Sequence, residues 1–362
     1  MKVFKGILKL IGILLAVILL AAVGLFAYLS ITEFRPEPVE AVAVEAPLTT
    51  QPGAQALDKD YFTVLSWNVG YCGLGRESDF FMDGGSQVHP LSQELVEKNF
   101  NGIRERIQAQ KADFTLLQEV DSDSTRCGIN ESLLLRKNLA EQSDAFALNF
   151  CTKFVPYPWP PIGKVNSGLQ TFSRYEISEA TRVSLPCPFS WPVSMVNLKR
   201  CLLVTRVPIK GSEQELVLIN LHLEAYDDGE GKLAQSKQLR EFVEQEYAKG
   251  NYVIAGGDWN QIFPDSEQTW PNTHQELWTP GYLDEGELSE GWRYVWDDSV
   301  PTCRLLNQPY DPADTANTQY YVIDGFLVSP NLRVVSVETQ DEDFACSDHN
   351  PVLLTVSMGA AS

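Results

Sequence analysis

At 362 residues and 40.5 kDa the chain is too long for a small disulfide-stapled module and sufficient for one large domain or two ordinary ones. Hydrophobic residues at 44% and charged residues at 21% are ordinary globular proportions, which argue against wholesale disorder and against a polytopic membrane protein. The 28 basic and 48 acidic residues leave a formal charge of −20, a balance that disfavours a sequence-independent nucleic-acid binder without forbidding a locally basic groove.

The three lysines of the first thirty residues, Lys2, Lys5 and Lys9, all precede one apolar run from Leu10 to Leu29 that contains no charge, proline or amide. Twenty such residues rise about 30 Å, the hydrocarbon thickness of a bilayer. A secretory signal peptide also begins with a charged stretch, but its apolar core spans roughly 7–15 residues and ends in a small-x-small site. Here the run closes on Phe26-Ala27-Tyr28-Leu29-Ser30, which is a poor site. The expectation is a transmembrane anchor at 10–29, with an uncleaved signal as the alternative. Residues 1–9 are then cytoplasmic and the rest of the chain is extracytoplasmic, since lysines stay inside. Without the first thirty residues the balance is 25 basic against 48 acidic, or −23, so the exported part owes no attachment to anionic lipid.

Residues 30–60 are rich in Pro, Ala and Glu and lack any period, which reads as a flexible linker. From Phe62 onward short β-rich runs recur with helical segments between them. FTVLSWNVG is a strand, the spacing of Leu95, Ile103 and Ile107 predicts a helix over 92–110, and FTLLQEV is a second strand. GLQTFSR, CLLVTRVPI and LVLINLHL are three more, the last two joined by a Gly211-Ser212 turn. A helix over 232–249 ends at Gly250. The strands YVIAGGDWN, YYVIDGFLV, LRVVSVET and PVLLTVS complete one folded unit at 61–358. Strands spread evenly with helices interposed predict an α+β sandwich, two packed and mostly antiparallel sheets flanked by helices. None of the seven cysteines forms a C-x-x-C pair, which argues against a thiolate zinc site, and the odd count leaves at least one thiol free.

Five apolar strands finish in an acid, amide or histidine at a loop: Trp67-Asn68, Gln118-Glu119, Asn220-Leu221-His222, Asp258-Trp259-Asn260 and Asp348-His349, the last just before the final strand. A strand end is where a rigid scaffold hands side chains to a solvent-facing site. Hard oxygen ligands with two histidines suit Mg²⁺ or Mn²⁺ and phosphate-ester chemistry. Singly, each is more often a turn former or a solvated edge.

Together, LSWNVG, LLQEVD, INLHL, GGDWN, YVIDGFLVS and CSDHNPV resemble the ordered motifs of the endonuclease/exonuclease/phosphatase superfamily, which includes pancreatic-type DNases, abasic-site nucleases, sphingomyelinases and inositol-polyphosphate phosphatases. The resemblance implies a four-layer DNase I-like sandwich and makes residues 61–358 a metal-dependent catalytic domain. By the same resemblance, Glu119 is the principal metal ligand, Asn68 contacts metal or phosphate, and Asp348 completes the metal environment. Asp258 and Asn260 orient the attacking water and bind phosphoryl oxygens. His349, oriented by Asp324, contacts phosphate or acts as base, and His222 stabilises the phosphorane charge or protonates the leaving oxygen. His89 and His274 lie in loop-like segments, and Arg174 and Arg200 fit the pattern too loosely to be given roles.

The resemblance implies that specificity comes from inserted loops, and this chain has two distinctive ones. Residues 71–91 are Gly-rich, and 261–319 carry Trp270, Trp278, Trp292 and Trp296 among many acids, of which at least two are expected to form the loop's own small core. The expected function is a membrane-anchored phosphoesterase acting on a small or lipid-linked phosphodiester. The alternatives are an exported nuclease acting on DNA or RNA, disfavoured by charge, and a catalytically silent surface binding protein. No feature of the sequence points to a protein partner.

Overall fold

The computed structural model describes residues 2–49, 55–227, 229–313 and 317–359. The chain leaves helix α1 (Lys2–Thr32) through two short strands, β1 (Val39–Ala41) and β2 (Val44–Glu45), and enters the domain at β3 (Tyr61–Asn68). Helix α2 (Gln93–Gln110), β4 (Phe114–Asp121), α3 (Glu131–Asn138), β5 (Ser143–Val155) and β6 (Gly163–Ser173) follow. Strands β7 (Glu179–Ser184), β8 (Cys201–Pro208) and β9 (Glu215–His222) lead into α4 (Glu230–Ala248) and β10 (Tyr252–Asp258). The long insertion holds β11 (Gln261–Ile262), β12 (Gly281–Tyr282), β13 (Arg293–Val295), β14 (Cys303–Arg304) and β15 (Tyr320–Tyr321). The final strands are β16 (Asp324–Val328), β17 (Arg333–Thr339) and β18 (Val352–Ser357).

Two seven-stranded sheets carry the architecture, ordered β1-β7-β8-β9-β10-β16-β13 and β17-β18-β3-β4-β6-β5-β2. Within them β9/β10 and β3/β4 run parallel and the other pairs antiparallel. Between the sheets, Val64, Phe114 and Leu116 of one pack with Leu216, Leu218, Ile254 and Phe326 of the other. Leu239 and Val243 of α4 cover the outer face of the first sheet, while Val96, Phe100, Ile103 and Ile107 of α2 cover the second. The side chains of α2 recur every three or four residues, and Ser92 caps it by accepting from the Leu95 N–H at 3.2 Å. The two packed sheets flanked by helices expected from the strand pattern, and the four-layer sandwich implied by the resemblance, are found.

Two expectations need correction. The segment read as a flexible linker is laid against the domain instead. β1 pairs with β7 on one sheet, β2 pairs with β5 on the other, and Leu57 is fully buried, bridging to Ile209. Val39 and Val44 supply β-branched side chains, and the open edges of β7 and β5 supply unpaired backbone groups that outweigh the weak local signal. Residues 50–54 of that segment lie outside the described residues. The run YYVIDGFLV, read as one strand, divides into β15 and β16, because Ile323 and Asp324 turn their N–H groups to Thr302 Oγ1 at 2.9 and 3.1 Å. Among the described residues α1 is the one helix long and apolar enough to cross a membrane, with mean hydropathy 3.0 over its apolar window; a signal sequence has the same character.

Candidate active site

The strand-end residues converge at one edge of the sandwich. In the first sheet, register aligns His222 of β9, Asp258 of β10 and Asp324 of β16 in a single row. Gly256 and Gly257 make that row possible. A Cβ on Gly256 would stand 2.4 Å from the Phe326 ring, and one on Gly257, at φ +152°, 1.9 Å from Leu221 O. The glycine pair thus lets β10 press against its neighbouring strands.

In the second sheet Asn68 ends β3, paired with Gln118 on β4. A register shift between Leu117 and Val120 bulges β4, and Glu119 at its apex adopts φ +56°, turning its carboxylate into the cleft. The segment carrying Asp348 and His349 is tied down by Ser347 Oγ to Asn68 O at 2.7 Å, by Trp67 Nε1 to His349 O at 2.8 Å and by the Arg304 N–H to Asp348 O at 3.0 Å.

All eight residues singled out from sequence line or adjoin one space. Asn68 Nδ2 donates to Asp258 Oδ2 at 3.0 Å and to Glu119 Oε1 at 3.3 Å, while its Oδ1 accepts from the Gly70 N–H at 3.0 Å. In this arrangement Asn68 orients acids as a donor, and Glu119 and Asp348 are the expected metal residues that offer oxygen. His349 Nδ1 meets Asp324 Oδ2 at 2.8 Å, and its Nε2 faces Asp258 at 3.7 Å and Asp348 at 3.9 Å. His222 Nε2 lies 3.4 Å from Asp258 Oδ2. Asn260, at φ +49°, donates its backbone N–H to Asp258 Oδ1 at 2.9 Å and its amide to Leu223 O at 2.9 Å.

Burial sets the electrostatics. It pushes Glu119 up, Asp258 to about 6 against the opposing pull of His349, and Asp348 to about 7, each helped by neighbouring carboxylates. Burial also disfavours the His349 cation, but Asp324, Cys303, Asp258 and Asp348 together hold it well above its ordinary range. His222 goes the other way, kept neutral by burial and by Arg200 and His349. The two histidines therefore differ in charge: His349 carries a proton that an anion can use, and His222 offers one neutral N–H.

This donor set fits a hard divalent cation. Carboxylates from three separate strand ends face one another with one imidazole as the compensating charge. Ligand atoms of Asp258, Asp324 and His349, and those of Cys303, Asp348 and His349, fall within 4.8 Å of one another. Cys303 adds no soft ligand, because burial pushes its thiol up to about 12. All seven cysteines are free.

The surrounding cleft encloses about 590 Å³. Its lining is largely apolar, with Phe80, Phe81 and Met82 from one segment and Phe189, Val196 and Leu198 from another, beside the polar Asn149, Ser167 and Asn197. Three arginines reach the lining and each is engaged. Arg126 pairs with Asp121 at 2.9 Å and stacks on Tyr71, Arg200 pairs with Glu224 at 3.1 Å, and Arg304 donates to Gly75 O and Ser78 O. Sequence reasoning missed Arg126 and left Arg200 without a role, since neither sits in a strand-end pattern. Arg174 lies elsewhere, bonded to Ala112 O. His89 and His274 bond Pro161 O and Glu276, outside the cleft. The 71–91 loop forms a wall, pinned by Arg304 and by the Tyr226 hydroxyl donating to Asp83 at 2.9 Å. Trp270, Trp292 and Trp296 pack on the core under the first sheet, and Trp278 alone of the four reaches the cleft, its N–H held by Ala225 O at 2.8 Å.

A family model described as the endonuclease/exonuclease/phosphatase family matches residues 65–349. No curated protein matches the chain in sequence. Among solved structures, an endonuclease/exonuclease/phosphatase from Beutenbergia cavernae is similar at TM-score 0.56 and 18% identity over 83% of this chain and 72% of its own. One from Bacteroides vulgatus is similar at TM-score 0.53 and 16% identity, over 83% and 99%. A humanised D. rerio TDP2 reaches TM-score 0.50 and 18% identity, over 83% and 100%. At these identities the likeness concerns the fold.

Proposed function

The chain belongs to the endonuclease/exonuclease/phosphatase family, and from that premise we propose that it is a Mg²⁺- or Mn²⁺-dependent phosphoesterase, held at the outer face of a membrane by α1, that hydrolyses a small or lipid-linked phosphodiester. The observation that carries this reading is the buried set of Glu119, Asp258, Asp348, His349 and Asn68 at a cleft whose lining is largely apolar. A nucleic-acid substrate needs Lys and Arg free to meet phosphates along a strand, and the three arginines of this cleft are already paired or buried in backbone contacts.

Glu119 and Asp348 would hold the ion, and Asn68 orients the Glu119 and Asp258 carboxylates by donating to both. A bound divalent cation supplies charge stabilisation for the phosphoryl and leaving oxygens. Asp258, fixed by the Asn260 N–H and Asn68, orients a water in line with the P–O bond that breaks and accepts its proton. His349, charged and aligned by Asp324, donates to a phosphoryl oxygen where negative charge grows, and His222 adds a neutral N–H beside it. The water oxygen becomes part of the phosphomonoester product, and the leaving oxygen departs as an alcohol after taking up the proton that Asp258 accepted from the water.

The test is a parallel assay of the full chain with Mg²⁺ or Mn²⁺ on bis(p-nitrophenyl) phosphate, plasmid DNA, RNA, sphingomyelin and inositol phosphates, with Asp258→Asn as control. Metal-dependent hydrolysis of the small or lipid esters, lost in the control, supports the reading. Cleaved nucleic acid with the small and lipid esters untouched replaces it with an exported nuclease.

A further inference from the structure

Four observations bear on where the cleft opens. First, the C-terminal turns of α1 do not hang free. Phe26 meets Trp191 with ring centroids 6.1 Å apart, Ser30 Oγ touches Met195 Sδ at 3.0 Å, and Glu33 pairs with Lys199 at 3.0 Å. Second, the segment those residues grip is a wall of the cleft, since Phe189, Val196 and Leu198 belong to its lining. Third, α1 also contacts β5, whose end runs into Tyr157 and Trp159. Tyr157 lines the cleft mouth edge-on to Phe81. Fourth, Tyr157, Trp159, Trp191 and Val193 are exposed by 72, 89, 64 and 51%, an unusual amount of bare apolar surface on two neighbouring loops.

Their level relative to a bilayer follows from α1. The uncharged run ends at Leu29, and Phe26 sits three residues, or roughly 5 Å, inside that end. Trp191 packs on Phe26 and is therefore at the boundary of acyl chains and headgroups, the depth where tryptophan and tyrosine concentrate. The two loops bordering the cleft thus lie at the same surface that the helix crosses. With −23 outside the span, attraction to anionic lipid does not hold them there, and apolar burial does.

We infer that the active-site mouth opens onto the outer leaflet and that the substrate is a membrane phospholipid, its phosphodiester rising into the cleft while its acyl chains stay in the bilayer. This rests on the phosphoesterase reading above and narrows its substrate. Water attacks phosphorus, the P–O bond to one alcohol breaks, and that alcohol takes a proton. One product stays in the leaflet and the other leaves into water.

The experiment places the full chain in phosphatidylcholine–sphingomyelin vesicles with Mg²⁺ or Mn²⁺ and compares it with the Trp159→Ser, Trp191→Ser double variant, neither residue lining the cleft. Vesicle lipid hydrolysis is expected to fall about tenfold in the double variant while bis(p-nitrophenyl) phosphate turnover holds. Brominated acyl chains should quench part of the wild-type tryptophan fluorescence, and less in the variant. Turnover of the soluble ester with vesicle lipid untouched, equal vesicle rates in both proteins, or equal quenching overturns the inference. Failure to hydrolyse the soluble ester as well sinks the phosphoesterase reading itself, and quenching then still decides whether these loops enter the bilayer.

Discussion

Asp258 and Asp324 are direct partners across antiparallel strands, yet only Asp324 bonds the His349 ring, at 2.8 Å on Nδ1, while Asp258 faces Nε2 at 3.7 Å. One carboxylate orients the imidazole and the other is left for chemistry. Asp324→Asn keeps the shape but removes the charge that holds His349 protonated, so turnover should fall roughly 10²- to 10⁴-fold with KM little changed. An unchanged turnover number would separate the pair from the reaction.

Glu119 combines a proposed metal-binding position with a left-handed backbone at φ +56°. Glu119→Gln should abolish metal-dependent hydrolysis with the fold intact. Glu119→Gly should be equally inactive and no less stable than wild type, since it relieves about 1 kcal/mol or more of backbone strain and one crowded carboxylate. Thermal unfolding with circular dichroism checks both; a less stable glycine variant would contradict this account of the bulge.

Crowded buried carboxylates make the site a stabilising ligand sink. Mg²⁺ or Mn²⁺ at about 100 times its Kd should raise unfolding free energy by about 2.7 kcal/mol, seen as a higher Tm than in EDTA. The gain should disappear in Glu119→Gln. Equal Tm values with and without metal would remove these acids as the binding site.

Away from the site, Glu246 receives a two-pronged bond from Arg206, at 2.8 and 2.9 Å, plus Lys249 and Asn251. Burial pushes its carboxyl up, but these partners prevail and hold it at about 2 against an ordinary 4.5. Because the folded value is depressed, the stabilisation is present above pH 4.5 and is lost as pH falls toward 2. With Lys249 largely in water and Arg206 partly so, screening holds its worth to on the order of 1–2 kcal/mol. Glu246→Gln should flatten that part of the pH–stability curve measured by urea unfolding.

Gly257→Ala should cost at least about 3 kcal/mol, because its Cβ would sit 1.9 Å from Leu221 O at a φ closed to side chains. Soluble, wild-type-like expression of this variant would mean β10 packs less tightly than described.

The candidate site was readable because its residues flank apolar runs, where a strand fixes the direction of its terminal side chain: His222 and Asp258 close β9 and β10, Asp324 opens β16 and His349 precedes β18. His222, Asp258, Asp324 and His349 meet for that reason. Arg126 and Tyr226 were not readable. Each occupies a loop whose course depends on a partner far along the chain, Tyr71 for Arg126, which also pairs with nearby Asp121, and Asp83 for Tyr226. Strand β5 escaped notice because Asn149, Thr152 and Lys153 interrupt its alternation, and α3 because eight residues give too little period. The linker misled for the opposite reason: its composition is that of solvated chain, and only the two free sheet edges reveal its place.

That docked segment has a practical consequence. A soluble fragment beginning near residue 58 would lose β1, β2 and the buried Leu57 together, baring the margins of β7 and β5 to other molecules. Protection of both sheet margins thus depends on the stretch of chain that joins α1 to the domain, and a fragment that keeps the domain intact must begin ahead of Val39.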